Sequence, residues 1–372
     1  MTRARTLADL AGQSLATDAE ATAAAEAAAA AVPTGRKNLL YNGAMQVHQR
    51  GTSTTGIASG GYYTADRFNT VLNSIGTWTQ TVESDGPTAS GFTKSLKMEC
   101  TTADASPAAG DYVFIEQRFE GQDLQGLKKG TAEATSLTLS FWVKSNVTGT
   151  YVVNLLDNDN ARQVSASYTI DVSGAWEKKT MTFAGDASGA FDNDNAMSLR
   201  LFFWLGSGSD RTSGTLQTAW TSITNANLAV GQTNLAAATN NYWQVTGVQL
   251  EVGDTATDFE HKPFGVELAE CQRYLKFLGS ATGIAISGSQ VDFPFSCFDM
   301  RAVPSSITQT GVIQITDCVA ANYTQSSVSA SIVNPGNSQG TRIRLGNFSG
   351  LTGYRSYIIE GLGNNAYLSA EL

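Results

Sequence analysis

Between Leu137 and Val143 the apolar side chains Leu137, Leu139, Phe141 and Val143 fall on every second residue, alternating with Thr138, Ser140 and Trp142. A period of two puts the first set on one face of a β-strand, toward a core, and the second on the opposite face. Tyr151 to Leu156, Ser167 to Ile170, Lys179 to Phe183, Ser198 to Leu205 and Tyr242 to Val252 read in the same way, with Gly, Asn, Asp and Ser clusters between them. So many short strands in one stretch predict a sandwich of two antiparallel sheets, a jelly roll, over residues 37–264. Composition agrees. Only 15% of the 372 residues are charged, against about a quarter in an ordinary globular protein. The polar surface therefore falls to Thr, Ser, Asn, Gln and 36 Gly, a mixture that suits strands joined by turns rather than helices tied by ion pairs.

Residues 1–36 differ from everything after them. Ala dominates, Gly occurs only at Gly12 before the Pro33-Thr34-Gly35 break, and the larger apolar residues are few, with Leu7, Leu10 and Leu15 among them. Ala has the highest helix propensity, but a helix this poor in large apolar groups buries little alone. It is expected to be an arm that packs with identical helices or docks onto a larger assembly. A change of period at 265–278 predicts a short linking helix that stops at Gly279-Ser280, closing a linker over 265–280. Residues 281–372 return to short strands, such as Gly311 to Ile315, Ser327 to Val333, Thr341 to Leu345 and Tyr354 to Ile359, and predict a small C-terminal β tip domain.

A net charge of −9 and no run of basic residues longer than Lys128-Lys129 or Lys178-Lys179 argue against a nucleic-acid partner, which requires a clustered positive field. No apolar run approaches the roughly 18 residues of a membrane span, so no membrane insertion is expected. Nor does an apolar signal core follow the N-terminal arginines, and export by the usual signal is not expected. Cys100, Cys271, Cys297 and Cys318 are widely spaced and form no C-x-x-C pair, which predicts reduced, buried thiols. His48 and His261 are the two histidines of the chain, and neither lies in a catalytic pattern.

Asp157-Asn158-Asp159-Asn160 and Asp192-Asn193-Asp194-Asn195 repeat one oxygen-rich tetrapeptide of the kind a calcium ion takes. Arg162 and Met197 stand where an EF-hand loop has its Gly, so Asx-rich hairpin turns are the expected reading and no cofactor is assigned. Glu116, Glu251 and Glu260 are the acids near strand-like runs, but nothing pairs them as a hydrolase requires, and no phosphate loop or H-E-x-x-H is present. The chain is not expected to be an enzyme. Among the aromatic residues, Trp142 and Trp204 alternate with core positions and are expected on outer faces. Tyr62, Tyr63, Trp220, Tyr323 and Tyr354 are chosen as candidate ligand-binding residues because loops at the ends of a rigid scaffold carry recognition.

The stretch Asn38-Leu39-Leu40-Tyr41-Asn42-Gly43-Ala44-Met45-Gln46-Val47-His48-Gln49-Arg50-Gly51-Thr52, then Tyr63-Thr64-Ala65-Asp66-Arg67-Phe68, resembles the opening of tail-fibre and appendage proteins of tailed bacteriophages. The resemblance continues through Phe141-Trp142-Val143-Lys144-Ser145, Trp176-Glu177-Lys178-Lys179, Asn241 to Gly253 and Ala256 to Phe264, and covers about residues 37–276. Phe68 and Leu275 depart from it, where Trp and Tyr are usual. Met300 to Ser305 and Ala370-Glu371-Leu372 extend it into the tip domain. The resemblance implies a carbohydrate-binding-module-like jelly roll and a homotrimer. It implies a virion protein assembled in the host cytoplasm and held to phage tail or capsid proteins through the N-terminal arm. Its expected function is adsorption to host-surface polysaccharide or lipopolysaccharide. The alternatives are a non-adhesive adaptor or capsid appendage, and a glycan depolymerase.

Overall fold

The computed structural model describes residues 36–295, 299–304, 307–317, 319, 322–333, 341–360 and 366–372. The expected arm over 1–36 lies outside them but for Arg36, as do Cys297 and Cys318. Residues 38–372 form one compact unit.

The strands are β1 (Ser53–Ile57), β2 (Gly61–Tyr62), β3 (Asn69–Asn73), β4 (Thr77–Glu83), β5 (Ser95–Thr102), β6 (Tyr112–Glu120) and β7 (Leu137–Ser145). They continue with β8 (Gly149–Asp157), β9 (Arg162–Ile170), β10 (Glu177–Phe183), β11 (Met197–Ser207), β12 (Thr221–Ser222) and β13 (Tyr242–Val252). One antiparallel sheet runs β1-β4-β5-β13-β7-β10 and the other β12-β9-β8-β11-β6-β3-β2. The chain passes repeatedly between the two, as in a jelly roll. Leu139, Phe141 and Val143 of β7 and Trp243, Val245 and Leu250 of β13 meet Ile115, Val153, Leu201 and Phe203 of the opposite sheet in one buried core. Alternation in the sequence therefore became burial between sheets. A short helix α1 (Ser209–Thr212) lies in the connection after β11. From that connection Leu228 and Ala229 cover the outer face of the second sheet and bury Trp204 with Phe114 and Phe202. The outward position expected for Trp204 is thus a second interior.

Helix α2 spans Phe264–Gln272. The helix predicted over 265–278 is shorter because Leu275–Phe277 form β14, which pairs with the last strand. The remaining strands are β15 (Thr282–Ala285), β16 (Val291–Phe295), β17 (Ile307–Gln309), β18 (Ile313–Thr316), β19 (Asn322–Gln325), β20 (Ala330–Val333), β21 (Thr341–Leu345), β22 (Ser356–Glu360) and β23 (Ala366–Ser369). They make a three-stranded sheet, β14-β23-β17, and a seven-stranded sheet, β19-β18-β22-β15-β16-β21-β20. Val291, Phe293, Ile315, Ile343, Tyr357 and Leu368 fill the core they share. This part is bound to the sandwich by an ion pair and hydrogen bonds. Arg273 donates to Glu120 at 2.7 Å and 3.1 Å, Tyr274 Oη lies 2.5 Å from the same carboxylate, and Arg301 Nη1 donates to Asn195 O at 2.6 Å.

The repeated Asp-Asn tetrapeptides form side-chain turns. Asp157 Oδ1 accepts from Asn160 N at 3.0 Å and Asp194 Oδ1 from Ala196 N at 2.9 Å. Asp157 Oδ2 is taken by the ammonium of Lys129 at 2.5 Å, which also donates to Ser188 O and Gly189 O at 2.8 Å each. A tethered cation therefore sits on the first of the two tetrapeptides. Cys100 and Cys271 are buried free thiols, and burial pushes the Cys100 thiol up to about 11.

His48 Nε2 lies 2.7 Å from Lys94 Nζ, a distance at which the imidazole accepts and must be neutral. Burial first, then the adjacent ammonium, lower its pKa from 6.5. The unfolded chain then takes up this proton more readily than the folded one. The stabilisation is complete above the unfolded value and is lost as pH falls through it toward the lower folded value. His48→Gln is expected to reduce the drop in urea midpoint between about pH 7.5 and about pH 5.5. An identical drop in both proteins would show that His48 plays no part in it.

Candidate functional site

The outer face of the first sheet carries the polar set of the alternating strands. In register across β13, β7 and β10 lie Thr246, Trp142 and Lys178, then Gln249, Ser140 and Thr180, then Glu251, Thr138 and Thr182. Trp142 is the one aromatic residue in these three rows. Its indole is half-buried on a floor of small hydroxyl groups.

The wall opposite is built by two loops. The chain leaving β13 folds back over the sheet because the outward side chains of that strand hold it. Glu251 accepts from Thr257 N at 2.9 Å and Thr257 Oγ1 at 2.6 Å, and Gln249 Oε1 accepts from Glu260 N at 2.8 Å. This places Phe259 and His261 against Phe92 from the loop before β5, with ring centroids 5.0 Å, 5.2 Å and 4.9 Å apart. The cluster rests on a bulge in β13 between Thr246 and Gln249. Gly247 there has φ +59°, and a Cβ on it would come within 2.6 Å of the Phe92 ring. Only glycine both adopts that conformation without strain and lets the ring seat on the backbone.

Between wall and floor is an open groove of about 290 Å³, lined by Phe92, Ser140, Trp142, Lys178, Asp258 and His261 among others. Its size is at the lower edge of the range for a small-molecule site. At its far side Lys144 pairs with Asp85, and Trp176 Nε1 donates to the same carboxylate at 3.3 Å. Burial opposes ionisation of Asp85, but the Lys144 and Trp176 hydrogen bonds outweigh it and hold the carboxyl below its usual value. The Lys144 ammonium also lies 5.1 Å from the Trp176 ring centroid. Beside these groups Thr246 Oγ1 and Gln244 Oε1 are buried with no hydrogen-bond partner among the described residues. Such groups are ordinarily met by water or a guest.

The acids singled out in the sequence are structurally engaged. Glu116 is held by Arg118 and Arg200 at 2.6 Å each. Glu251 anchors the loop just described, and Glu260 accepts from Asn38 N at 2.7 Å. The structure does not bring the five candidate binding residues together. Tyr62 is in β2 beneath the Arg50 guanidinium, 5.2 Å from its ring centroid. Burial first pushes the Tyr62 phenol up to about 12. Tyr63 donates to Ser59 O at 2.7 Å. Trp220 packs near Lys129 with its indole N–H on Ala184 O at 2.8 Å. Tyr323 meets Tyr357 edge to face, and Tyr354 stands 92% exposed on a turn of the C-terminal part. None of the five lines the groove. Of the groove residues, Trp142 was visible as an outward strand position. Phe92, Phe259 and His261 carried no signal, since they meet only through the fold.

No family model matches the chain, and no curated protein matches it. Among solved structures it is similar to the enzymatically active domain of tailspike protein 4 of bacteriophage CBA120, at 13% identity and a TM-score of 0.32, covering 58% of this chain and 21% of that one. It is similar to TmCBM61 in complex with β-1,4-galactotriose, at 8% identity and a TM-score of 0.29, covering 58% and 99%. A third likeness is to the tandem CBM22-1–CBM22-2 domain from Paenibacillus barcinonensis Xyn10C, at 10% identity and a TM-score of 0.29, covering 91% and 98%.

Proposed function

We propose that this chain is a non-enzymatic adhesive component of a bacteriophage virion, a homotrimeric tail-fibre or appendage protein that binds host-surface glycan. The observation that carries the binding part is the groove. A partly exposed indole, Trp142, lies among hydroxyl groups, with Lys178 and Asp258 at the rim and a rigid aromatic wall opposite. An apolar platform ringed by hydrogen-bonding groups suits a sugar, which has an apolar C–H face and hydroxyls around its edge. The virion part rests on the ordered sequence blocks between Asn38 and Phe264, which resemble phage appendage proteins. Three copies would multiply a weak sugar affinity through effective concentration.

Trp142→Ala is expected to weaken retention of host polysaccharide by about 2 kcal/mol, roughly thirtyfold, as for truncation of a binding hot spot. Affinity electrophoresis of wild type and variant reads it. Unchanged retention would remove the groove from the reading. Light scattering of the full chain is expected to give a trimer, and a monomer would exclude avidity of this kind. Progressive shortening of the polysaccharide would replace adhesion with depolymerisation.

A further inference from the structure

We infer that the binding face continues past the ridge of Phe259 and His261 into a second recess with Phe264 as its platform, so that the ligand is an internal stretch of a linear polysaccharide rather than a single terminal sugar. This rests on the carbohydrate reading of the groove. The second recess, about 190 Å³, has Phe259 and His261 in common with the first and is otherwise lined by residues including Gln46, Lys262, Phe264 and Glu267. The two recesses thus lie on either side of one cluster of rings.

The second recess has fixed walls. Lys262 Nζ is held by Glu270 at 2.8 Å, and the Glu267 carboxylate accepts from the backbone N–H of Asn42. The ridge cannot fold away, because Phe259 and His261 both pack on Phe92 and the backbone on either side of Phe259 is pinned by Gln249 and Glu251. Phe264 itself is 58% exposed at the first position of α2 and belongs to no core cluster. A large aromatic side chain left open at a rigid recess adjoining a second aromatic recess is placed as a stacking platform is. A single sugar fills one recess. A chain lying over the ridge contacts Trp142, the ridge rings and Phe264 in succession.

The test uses the full chain and a panel of linear polysaccharides, β-glucan, galactan and alginate among them, with oligosaccharide ladders prepared from whichever member it retains. In calorimetric titration the affinity is expected to rise at least about tenfold from disaccharide to the longest fragments and then level off. Phe264→Ala is expected to weaken binding of long fragments about tenfold while leaving the disaccharide within about twofold. Trp142→Ala weakens both. An unchanged thermal midpoint for Phe264→Ala shows that the exposed side chain was removed without unfolding. Disaccharide binding that is sensitive to Trp142 but gains nothing with length, or long-fragment binding indifferent to Phe264, overturns the second recess and leaves the groove standing. Failure to retain any polysaccharide overturns both.

Discussion

Glu371→Ala is expected to lower the stability of the protein by about 3–5 kcal/mol, the cost of removing one partner from a buried ion pair. Glu371 Oε1 accepts from Arg50 Nη2 at 3.0 Å, and Oε2 accepts from Arg67 Nη1. Arg67 is fully buried. Its guanidinium carbon is 3.4 Å from the Tyr274 ring centroid, and Nη2 donates to Arg118 O at 2.9 Å. Burial alone works against the charge, and Glu371 is the largest influence restoring it. Without that carboxylate two arginines face each other, one with no route to water. The loss is chiefly the penalty of an unpaired charge, so removing both partners is cheaper than removing one. Arg67→Met combined with Glu371→Leu is expected to be more stable than Glu371→Ala alone. Urea unfolding curves read both comparisons. A Glu371→Ala protein within about 0.5 kcal/mol of wild type, the scatter of an ordinary surface substitution, would mean the site is hydrated.

That network also marks where sequence reading reaches its limit. Local periodicity showed β13 at its full extent, Tyr242 to Val252, and placed Leu139, Phe141 and Val143 in the core, because each side chain's fate there depends on neighbours two residues away. It read the change of period at residue 265 but carried the helix too far. What ends α2 is the pairing of Leu275 to Phe277 with Tyr367 to Ser369, a contact about ninety residues distant that leaves no local trace. The groove divides in the same way. Trp142 follows from alternation, whereas the wall opposite joins Phe92 to Phe259 and His261 across a bulge at Gly247. Tyr62 was chosen as a loop aromatic and lies in a short strand against Arg50, since proximity to turns says nothing about what folds over them.

Trp204 and Trp142 make the sharpest comparison, because both follow an inward phenylalanine and alternation assigns both to an outer face. Trp204→Ala is nevertheless expected to cost about 3–5 kcal/mol, as a large-to-small substitution in a core. Trp142→Ala is expected to cost about 1 kcal/mol or less, since a partly exposed side chain lining an open groove leaves no closed cavity. The difference lies in the cover. Leu228 and Ala229 close over Trp204, and its ring lies 4.8 Å from Phe114 and 6.2 Å from Phe202 between centroids. Its indole N–H donates to Asn154 Oδ1, and the Asn154 amide donates in turn to Ser165 Oγ at 2.5 Å. Trp204→Phe separates packing from polarity. It fills most of the volume and leaves the buried Asn154 carbonyl oxygen without its donor, at a cost of about 1–3 kcal/mol. Chemical denaturation of the three variants orders them as Trp204→Ala, Trp204→Phe, then Trp142→Ala. If Trp204→Ala cost no more than Trp142→Ala, the connection carrying Leu228 would not be packed in solution. The second sheet would then present an aromatic face of its own, with Phe114, Phe202 and Trp204 side by side, as a rival to the groove.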